Sequence, residues 1–141
     1  MDEAERDAFL QRSDPPYVGV VATIDERGFP HAIPVWFRWN GRAIHLWSLA
    51  ELRWPRNLMR DPRVSFAVFE HDRPYRAVYF KGTATVRTGT VGELIDHIRP
   101  IVARYSADPD AAIAAYDDGG AGQVAVTIEP TSIAARANET P

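Results

Sequence analysis

The residues of this sequence best suited to bind an anion lie between positions 47 and 57. A predicted strand ends at Ser48 and a predicted helix begins near Pro55, and a helix N-terminus offers unpaired amides and a positive dipole end. The guanidinium groups of Arg53 and Arg56 match phosphate oxygens, and the Ser48 hydroxyl can donate one more hydrogen bond. The pattern therefore predicts a phosphate site, with a solvated helix face as the alternative.

The charge around this turn favours the phosphate interpretation. Four arginines lie within thirteen residues, at Arg53, Arg56, Arg60 and Arg63. Only Glu51 and Asp61 oppose them there, although the whole chain carries a net charge of −3. We therefore expect a local positive site in an acidic protein.

The tryptophans fall in the same third of the chain as the predicted phosphate site. They are Trp36, Trp39, Trp47 and Trp54. Aromatic rings beside a phosphate suit a planar heterocycle that must be stacked and shielded from water. Core packing is the alternative for any single tryptophan.

Other catalytic patterns are missing from the sequence. There is no P-loop, G-x-G-x-x-G, G-x-S-x-G or H-E-x-x-H motif, and there is no cysteine. His31 and His45 lie on neighbouring predicted strands, but two histidines without carboxylate support make a poor metal site. We therefore expect no metal and assign no catalytic residue.

The elements that would position these residues are predicted from hydrophobic periodicity and turn signals. Six strands are predicted, at residues 17–25, 30–39, 43–49, 64–70, 76–87 and 123–128. Helices are predicted at three places: 53–60, after a Thr90–Glu93 capping box with a kink at Pro100, and from Asp108-Pro109 to Gly119-Gly120.

Three local details follow from the same patterns. Asn40-Gly41 predicts a hairpin with a type I′ turn, because both residue types tolerate a positive φ. The nearly continuous apolar run Val64–Glu70 predicts a strand buried on both faces. The tail after Ala135 is expected to fray.

Six antiparallel strands in one short chain favour closure into a barrel, because closure removes exposed edges. The prediction is a mainly β, single domain over residues 1–141, with its core at 15–135. The N-terminus has no signal-peptide pattern, and no apolar run approaches the ~20 residues of a membrane helix. We therefore expect a cytoplasmic protein without a membrane or nucleic-acid partner.

The stretch Gly19–Arg87 resembles the pyridoxamine 5′-phosphate oxidase-like split-barrel family, which includes flavin- and deazaflavin-binding reductases. The matching segments are VVATI at 20–24, GFP at 28–30, PVWF at 34–37, RNLMRDPRVS at 56–65 and GTA at 82–84. The run at 56–65 is the most specific of them. The resemblance implies a six-stranded antiparallel split barrel and an obligate homodimer with a cofactor across its interface.

The resemblance also implies which residues meet that cofactor. Its phosphate would meet Trp47, Ser48, Arg53, Arg56 and Asn57. Its ring would lie along Val35 and Trp36, and Lys81 and Gly82 would approach from the partner subunit.

One position departs from the family pattern. Many members carry a lysine directly after the position of Arg53, where this chain has Trp54. FMN and the deazaflavin coenzyme F420 therefore both remain open as the cofactor. We expect Trp54 to favour F420. The phosphate of F420 is a diester and carries less charge than the compact monophosphate of FMN.

The function implied is an oxidoreductase in which bound FMN or F420 exchanges hydride with a small organic substrate. A non-enzymatic protein that binds or stores flavin, haem or tetrapyrrole is the first alternative. A barrel that dimerises and binds nothing is the second.

Overall fold

The computed structural model describes residues 1–137 of the chain. The strands are β1 (Gly19–Ile24), β2 (Pro30–Val35), β3 (Arg38–Trp39), β4 (Ile44–Leu49), β5 (Arg63–Phe69), β6 (Ala77–Gly89) and β7 (Gln123–Arg136). The helices are α1 (Glu3–Leu10), α2 (Arg53–Arg60), α3 (Ile95–Tyr105) and α4 (Pro109–Ala114). None of the helices within these residues is long and apolar enough to cross a membrane.

The strands form one antiparallel sheet in the order β2-β1-β5-β6-β7-β4-β3. Strands β2 and β3 lie at opposite edges, yet only Trp36 and Phe37 separate them along the chain. Those residues can bridge at most about 11 Å between the flanking Cα atoms. The sheet must therefore curl until its edges almost meet, which is the geometry of a split barrel.

The predicted barrel is correct in class, but the sheet has seven strands within residues 1–137 and is not closed. The predicted strand 30–39 breaks at Phe37 into β2 and β3. The Phe37 amide donates to the Tyr105 hydroxyl at 3.1 Å, and its carbonyl accepts from the side chains of Arg104 and Tyr105. Side chains of α3 thus replace a strand partner here.

Strand β5 corrects a second expectation, because it is buried on one face only. Val64, Phe66 and Val68 point into the core, while the alternate residues are exposed or half-buried. Phe69 is 54% exposed. The run looks continuously apolar because Ala67 and Phe69 on its outer side are apolar, although Ser65 there is polar and nothing in residues 1–137 covers that side.

Local structure agrees with the sequence in part. The Thr90–Glu93 capping box forms, with the threonine hydroxyl and glutamate carboxylate each accepting from the other residue's amide. The Asp108 carboxylate caps α4, which ends at Ala114, well before the predicted glycine stop. The hairpin at Asn40 forms, but only Gly41 has a positive φ, of 93°.

The hairpin turn is therefore not type I′. Instead, the Asn40 side-chain oxygen accepts hydrogen bonds from the amides of Arg42 and Ala43, both at 2.8 Å. Helix α1 was not predicted, although Asp2 caps it and Phe9 and Leu10 bury one end of it. Half of the residues of α1 are charged, so hydrophobic periodicity does not indicate this short buried face.

Two further expectations concern α3 and the end of the chain. A kink was predicted at Pro100, and helix α3 continues through this residue. Strand β7 extends to Arg136, beyond the predicted start of fraying, and the rest of the predicted frayed tail, 138–141, lies outside the described residues.

Two buried clusters hold the fold together. The main core fills the curled sheet around Phe37, Phe66 and Phe80. A smaller cluster packs α3 and α4 against the sheet through Ile98 and Ile113. The half-buried Trp47 of β4 lies against this smaller cluster. Helix α3 thereby meets the strand that ends at the predicted phosphate site.

Candidate functional site

The turn after β4 builds a pocket lined largely by arginines. We call it the arginine pocket; its volume is about 410 Å³ and it is lined by Asp25, Glu26, Arg27, Arg53, Arg56, Asn57 and Arg60. The first three residues belong to the β1–β2 turn and the others to α2. Helix α2 starts after Leu52, and no side chain caps the first amides of the helix.

Only some of the charged side chains of the arginine pocket have partners within the described residues. Arg60 donates to the carbonyl of Ile24 and to the side-chain oxygen of Asn57, both at 3.0 Å. It also lies 3.9 Å from the Glu26 carboxylate. The guanidinium groups of Arg53 and Arg56 have neither a hydrogen bond nor an ion pair to any residue in the range 1–137. The guanidinium of Arg27, on the β1–β2 turn, likewise has no partner among the described residues, so three cations of the pocket are free to bind an anion.

The acidic residues of the arginine pocket belong to its wall. The Asp25 carboxylate accepts from the amides of Phe29 and Arg27, at 2.8 and 2.9 Å, and thereby fixes the β1–β2 turn. The Phe29 hydrogen bond is the main reason that the pKa of Asp25 is lowered. Asp25 therefore stays ionised. No sequence pattern marks it as a counter-charge, because it lies 28 residues before Arg53.

Asn57 has a structural role that the sequence analysis did not anticipate. Its side chain is buried, its amide donates to the Thr23 hydroxyl at 3.0 Å, and its oxygen accepts from Arg60. These bonds attach α2 to β1. The polar atoms of Asn57 are thus engaged within the protein, although the residue lines the arginine pocket.

Trp54 lies in the main core and is only 2% exposed. Its indole therefore presents no face to the arginine pocket. The expectation that Trp54 contacts the cofactor and sets its preference does not fit this position. Helical geometry is the reason, because Arg53 and Trp54 are adjacent in α2 and adjacent helical residues point in different directions.

A second pocket, the apolar pocket, has a volume of about 210 Å³. It is lined by Val35, Trp36, Trp47, Ser48, Leu49, Ile101 and Tyr116. Four predicted cofactor contacts, Val35, Trp36, Trp47 and Ser48, thus come together in one place. The four tryptophans do not, because Trp39 and Trp54 are core residues.

The walls of the apolar pocket are held by neighbours that the sequence analysis missed. The Trp47 indole N–H donates to the side-chain oxygen of Gln123 at 2.7 Å, and the Gln123 amide donates to the Tyr116 carbonyl at 3.0 Å. The Trp36 ring stacks on Tyr105 with centroids 4.8 Å apart. No motif marks these partners, because they come from α3, β7 and the chain after α4.

Lys81 and Gly82 lie apart from both pockets. They line a groove with Arg63 and Ser65, and that groove shares no lining residue with the other two pockets. Gly82 sits at a bulge between β6 and β7, where a Cβ would collide with the Glu129 carbonyl. The protein's own backbone thus requires this glycine.

His45 and His97 form a pair between β4 and α3, with ring centroids 4.8 Å apart. Burial, together with the neighbouring His97 and Arg38, lowers the pKa of His45 to about 4. Burial also lowers the pKa of His97, whose Nε2 lies 2.8 Å from the Leu46 carbonyl. Among residues 1–137 there is no group of three or more His, Cys, Asp or Glu side chains that could hold a metal ion.

Solved structures with the same fold include proteins named for flavin-type cofactors. Rv2991, a conserved hypothetical protein of Mycobacterium tuberculosis, is 26% identical, with a TM-score of 0.78 over 98% of this chain and 86% of that one. An F420 reductase is 22% identical, with a TM-score of 0.69 over 91% of this chain and 94% of that one. An FAD-binding protein (mll6688) of Mesorhizobium loti is 16% identical, with a TM-score of 0.68 over 96% of this chain and 92% of that one.

The sequence itself identifies the family. No curated protein matches the chain. The family model described as pyridoxamine 5′-phosphate oxidase, however, matches residues 3–136, which is almost the whole chain. Together with the split-barrel architecture, this match shows that the chain belongs to the pyridoxamine 5′-phosphate oxidase family.

Proposed function

We propose that this protein is an oxidoreductase that binds FMN or coenzyme F420 at a homodimer interface and exchanges hydride with a small organic substrate. The observation that carries the proposal is the arginine pocket, where Arg53 and Arg56 have no acidic partner within residues 1–137. Both cofactors contain a phosphate. Family membership and the similarity to an F420 reductase and an FAD-binding protein support a flavin-type ligand.

The residues of the arginine pocket fit a phosphate group. Four arginines face Asp25 and Glu26, which leaves a formal excess of two positive charges (4 − 2 = 2). Guanidinium groups bind phosphate oxygens through paired, charge-assisted hydrogen bonds. Arg60 and Asn57 hold the wall in place, so Arg53 and Arg56 would bind the anion from α2, with Arg27 opposite them on the β1–β2 turn. Trp47 and Ser48, the other predicted phosphate contacts, line the apolar pocket instead.

The homodimer is supported by the surface that β1, β5 and β6 present to solvent. We call it the outer face; one row across it contains Val20, Ala67 and Tyr79, paired in register. Tyr79 is 50% exposed, and Phe69 on the same side is 54% exposed. Apolar side chains that residues 1–137 leave uncovered on a sheet surface are typical of an interface between subunits. Lys81 also lies on this face.

A bound flavin or deazaflavin supplies the two-electron chemistry, so no acid–base pair of the protein is required. The protein's own residues have other tasks. Arg53 and Arg56 bind the phosphate, Asp25 and Asn57 keep the pocket in shape, and the outer face brings Lys81 and Gly82 of the partner subunit to the site. The predicted cytoplasmic location is part of this proposal.

The test is titration of the purified protein with FMN and with F420, followed by absorption spectroscopy. Replacing Arg53 with alanine removes a charge-assisted hydrogen bond worth about 1.5–3 kcal/mol, or about ten- to a hundredfold in affinity. Arg42→Ala, in the exposed β3–β4 turn, is the matched control. The proposal fails if neither cofactor binds, or if both variants bind as the parent does.

Sedimentation tests the dimer independently of the cofactor. We expect a dimer at micromolar concentration with an interface above about 2,000 Å², as obligate pairs have. A charge on the outer face, such as Ala67→Glu, should produce monomers. A parent protein that sediments as a monomer would refute this part of the proposal.

A further inference from the structure

We propose that Gln123 is a positioning residue for the cofactor, because its buried amide fixes the Trp47 indole as one wall of the apolar pocket. The inference rests on the proposed function, since it takes the ring of FMN or F420 to lie against that wall. The pocket brings Val35 and Trp36, the predicted ring contacts, together with Trp47. Indole and aliphatic surfaces suit a flat heterocycle.

A glutamine is an uncommon residue at the position that Gln123 occupies. It is the first residue of β7, it pairs in register with Leu49 of β4, and it is completely buried. A buried amide costs free energy unless its polar atoms are hydrogen-bonded. An aliphatic side chain would avoid that requirement, but it would leave the Trp47 N–H without its partner.

The two hydrogen bonds of Gln123 fix the orientation of its amide. Its Oε1 accepts from the Trp47 indole N–H at 2.7 Å, and its Nε2 donates to the Tyr116 carbonyl at 3.0 Å. An indole N–H can only donate and a carbonyl can only accept, so the amide cannot turn over without losing both bonds. Gln123 therefore presents an acceptor to Trp47.

Trp47 has one orientation because three neighbours hold it. Gln123 binds its N–H, the ring of Tyr116 meets it edge-on with centroids 5.7 Å apart, and the cluster between α3, α4 and the sheet packs against it. A ring that is already fixed loses less freedom when a ligand stacks on it. Gln123 is not among the residues that line the pocket, so it would act through Trp47 rather than by touching the cofactor.

The start of β7 also holds the chain segment that leads to the arginine pocket. Gln123 pairs with Leu49, and the amide of Ala50 donates to the Gly122 carbonyl at 2.8 Å. Helix α2, which carries Arg53 and the other cations of the helix, follows directly after this segment. The contact that fixes the ring wall thus lies beside the turn that supplies the phosphate site.

Two variants separate the hydrogen bonds of Gln123 from its volume. Gln123→Met keeps a side chain of similar length without the amide. Gln123→Glu can make both bonds when its carboxyl is protonated, and burial beside a carbonyl acceptor favours the protonated form. In NMR spectra of the cofactor-free protein, the indole N–H resonance of Trp47, assigned by its loss in Trp47→Phe, should move upfield in Gln123→Met. A resonance that does not move would overturn the inference.

Titration with FMN and with F420 at pH 6 measures the effect on binding. Gln123→Met should weaken binding about three- to tenfold, and Gln123→Glu should stay within about twofold of the parent. Gln11→Met is the matched control, because the Gln11 amide contacts the Trp39 carbonyl at 3.4 Å and lines neither pocket. Equal losses in the two Gln123 variants, or an equal loss in Gln11→Met, would contradict the positioning role.

A double-mutant cycle tests whether Gln123 acts through Trp47. Phenylalanine has no N–H, so adding Gln123→Met to Trp47→Phe should weaken cofactor binding by less than about twofold further. A loss by the same factor in both backgrounds would show that Gln123 only supports the fold. Circular dichroism checks folding. If Gln123→Met does not fold, Gln123→Asn, whose amide is too short to reach Trp47, replaces it in the cycle.

The parent protein separates this inference from the proposed function. If neither FMN nor F420 binds the parent, the oxidoreductase proposal fails, and the role of Gln123 towards a cofactor fails with it. If a cofactor binds the parent and Gln123→Met equally well, only the positioning role fails.

Discussion

The arginine pocket draws most of its cations from one helix, α2, whereas the apolar pocket collects its walls from β2, β4, α3 and the chain after α4. In the arginine pocket, neighbouring positions of α2 have different roles. Arg53 and Arg56 face solvent, while Trp54 and Asn57 are buried. In the apolar pocket, residues more than sixty positions apart share one wall. The part of a site that lies on one helix can be predicted from the sequence, whereas residues that folding brings together, such as Asp25 or Gln123, cannot.

The largest expected effect separates packing from binding within α2. Trp54→Lys should lower the free energy of unfolding by about 3–5 kcal/mol, because it removes a buried indole and places an amine in the core. Chemical denaturation measures the change. Affinity for FMN and for F420 should fall together or not at all in the folded fraction.

The same variant tests the cofactor preference expected from the sequence. A selective gain in FMN binding by Trp54→Lys, with normal stability, would show that position 54 reaches the cofactor. Arg42→Lys, a basic substitution in the exposed β3–β4 turn, controls for added lysine chemistry. It should change neither stability nor affinity.

A smaller effect should distinguish the role of Arg56 from that of Arg60 in the arginine pocket. Arg56→Ala should weaken phosphate-dependent cofactor binding about tenfold and leave stability nearly unchanged, because Arg56 has no partner within residues 1–137. Arg60→Ala should do the reverse, lowering the free energy of unfolding by about 1 kcal/mol through the lost bonds to Ile24 and Asn57.

Each of the two arginine variants serves as the other's control. Denaturation and cofactor titration are measured on both proteins. If both variants lose affinity equally and neither loses stability, Arg60 is a ligand for the anion and the division of tasks is wrong.

The sequence predicted the strands and the arginine-rich turn into α2 better than it predicted how these elements assemble. The Thr90–Glu93 capping box and the turn to α2 depend on residues close in sequence, and both are present, although α3 itself begins only at Ile95. The break at Phe37 was not predicted, because its hydrogen-bond partners, Arg104 and Tyr105, come from α3. The burial of Trp54 could not be predicted either, because packing against the rest of the protein decides which side of a helix faces the core.

The residues that line the apolar pocket could likewise be predicted only in part. Val35, Trp36, Trp47 and Ser48 were proposed from the family resemblance, and they do share a pocket. Gln123 and Tyr116, which complete it, follow α4 and carry no motif. Only folding brings β7 beside β4, where Gln123 pairs with Leu49 and reaches Trp47.

The last expected effect is a pH dependence of stability, which arises where β4 packs against α3. His45 faces His97, with Arg38 and Arg87 as the nearby cations and Asn40 as a hydrogen-bond partner. No carboxylate among these groups would compensate a protonated ring. The folded protein therefore resists protonation of this pair.

The direction of the pH effect follows from the pKa of His45, which is about 4 in the folded protein against 6.5 for an ordinary histidine. Between these values the unfolded chain binds a proton that the folded chain does not, so stability falls as pH decreases from 6.5 towards 4. The ring is only half-buried, so we expect a loss of about 1–2 kcal/mol after allowance for solvent screening. His45→Gln should flatten the stability profile over this range, and His71→Gln, at an exposed turn, should not. A parent profile that is flat between pH 6.5 and 4, or one that flattens equally in both variants, would show that the histidine pair accepts a proton without cost and that this boundary is more solvated than its packing indicates.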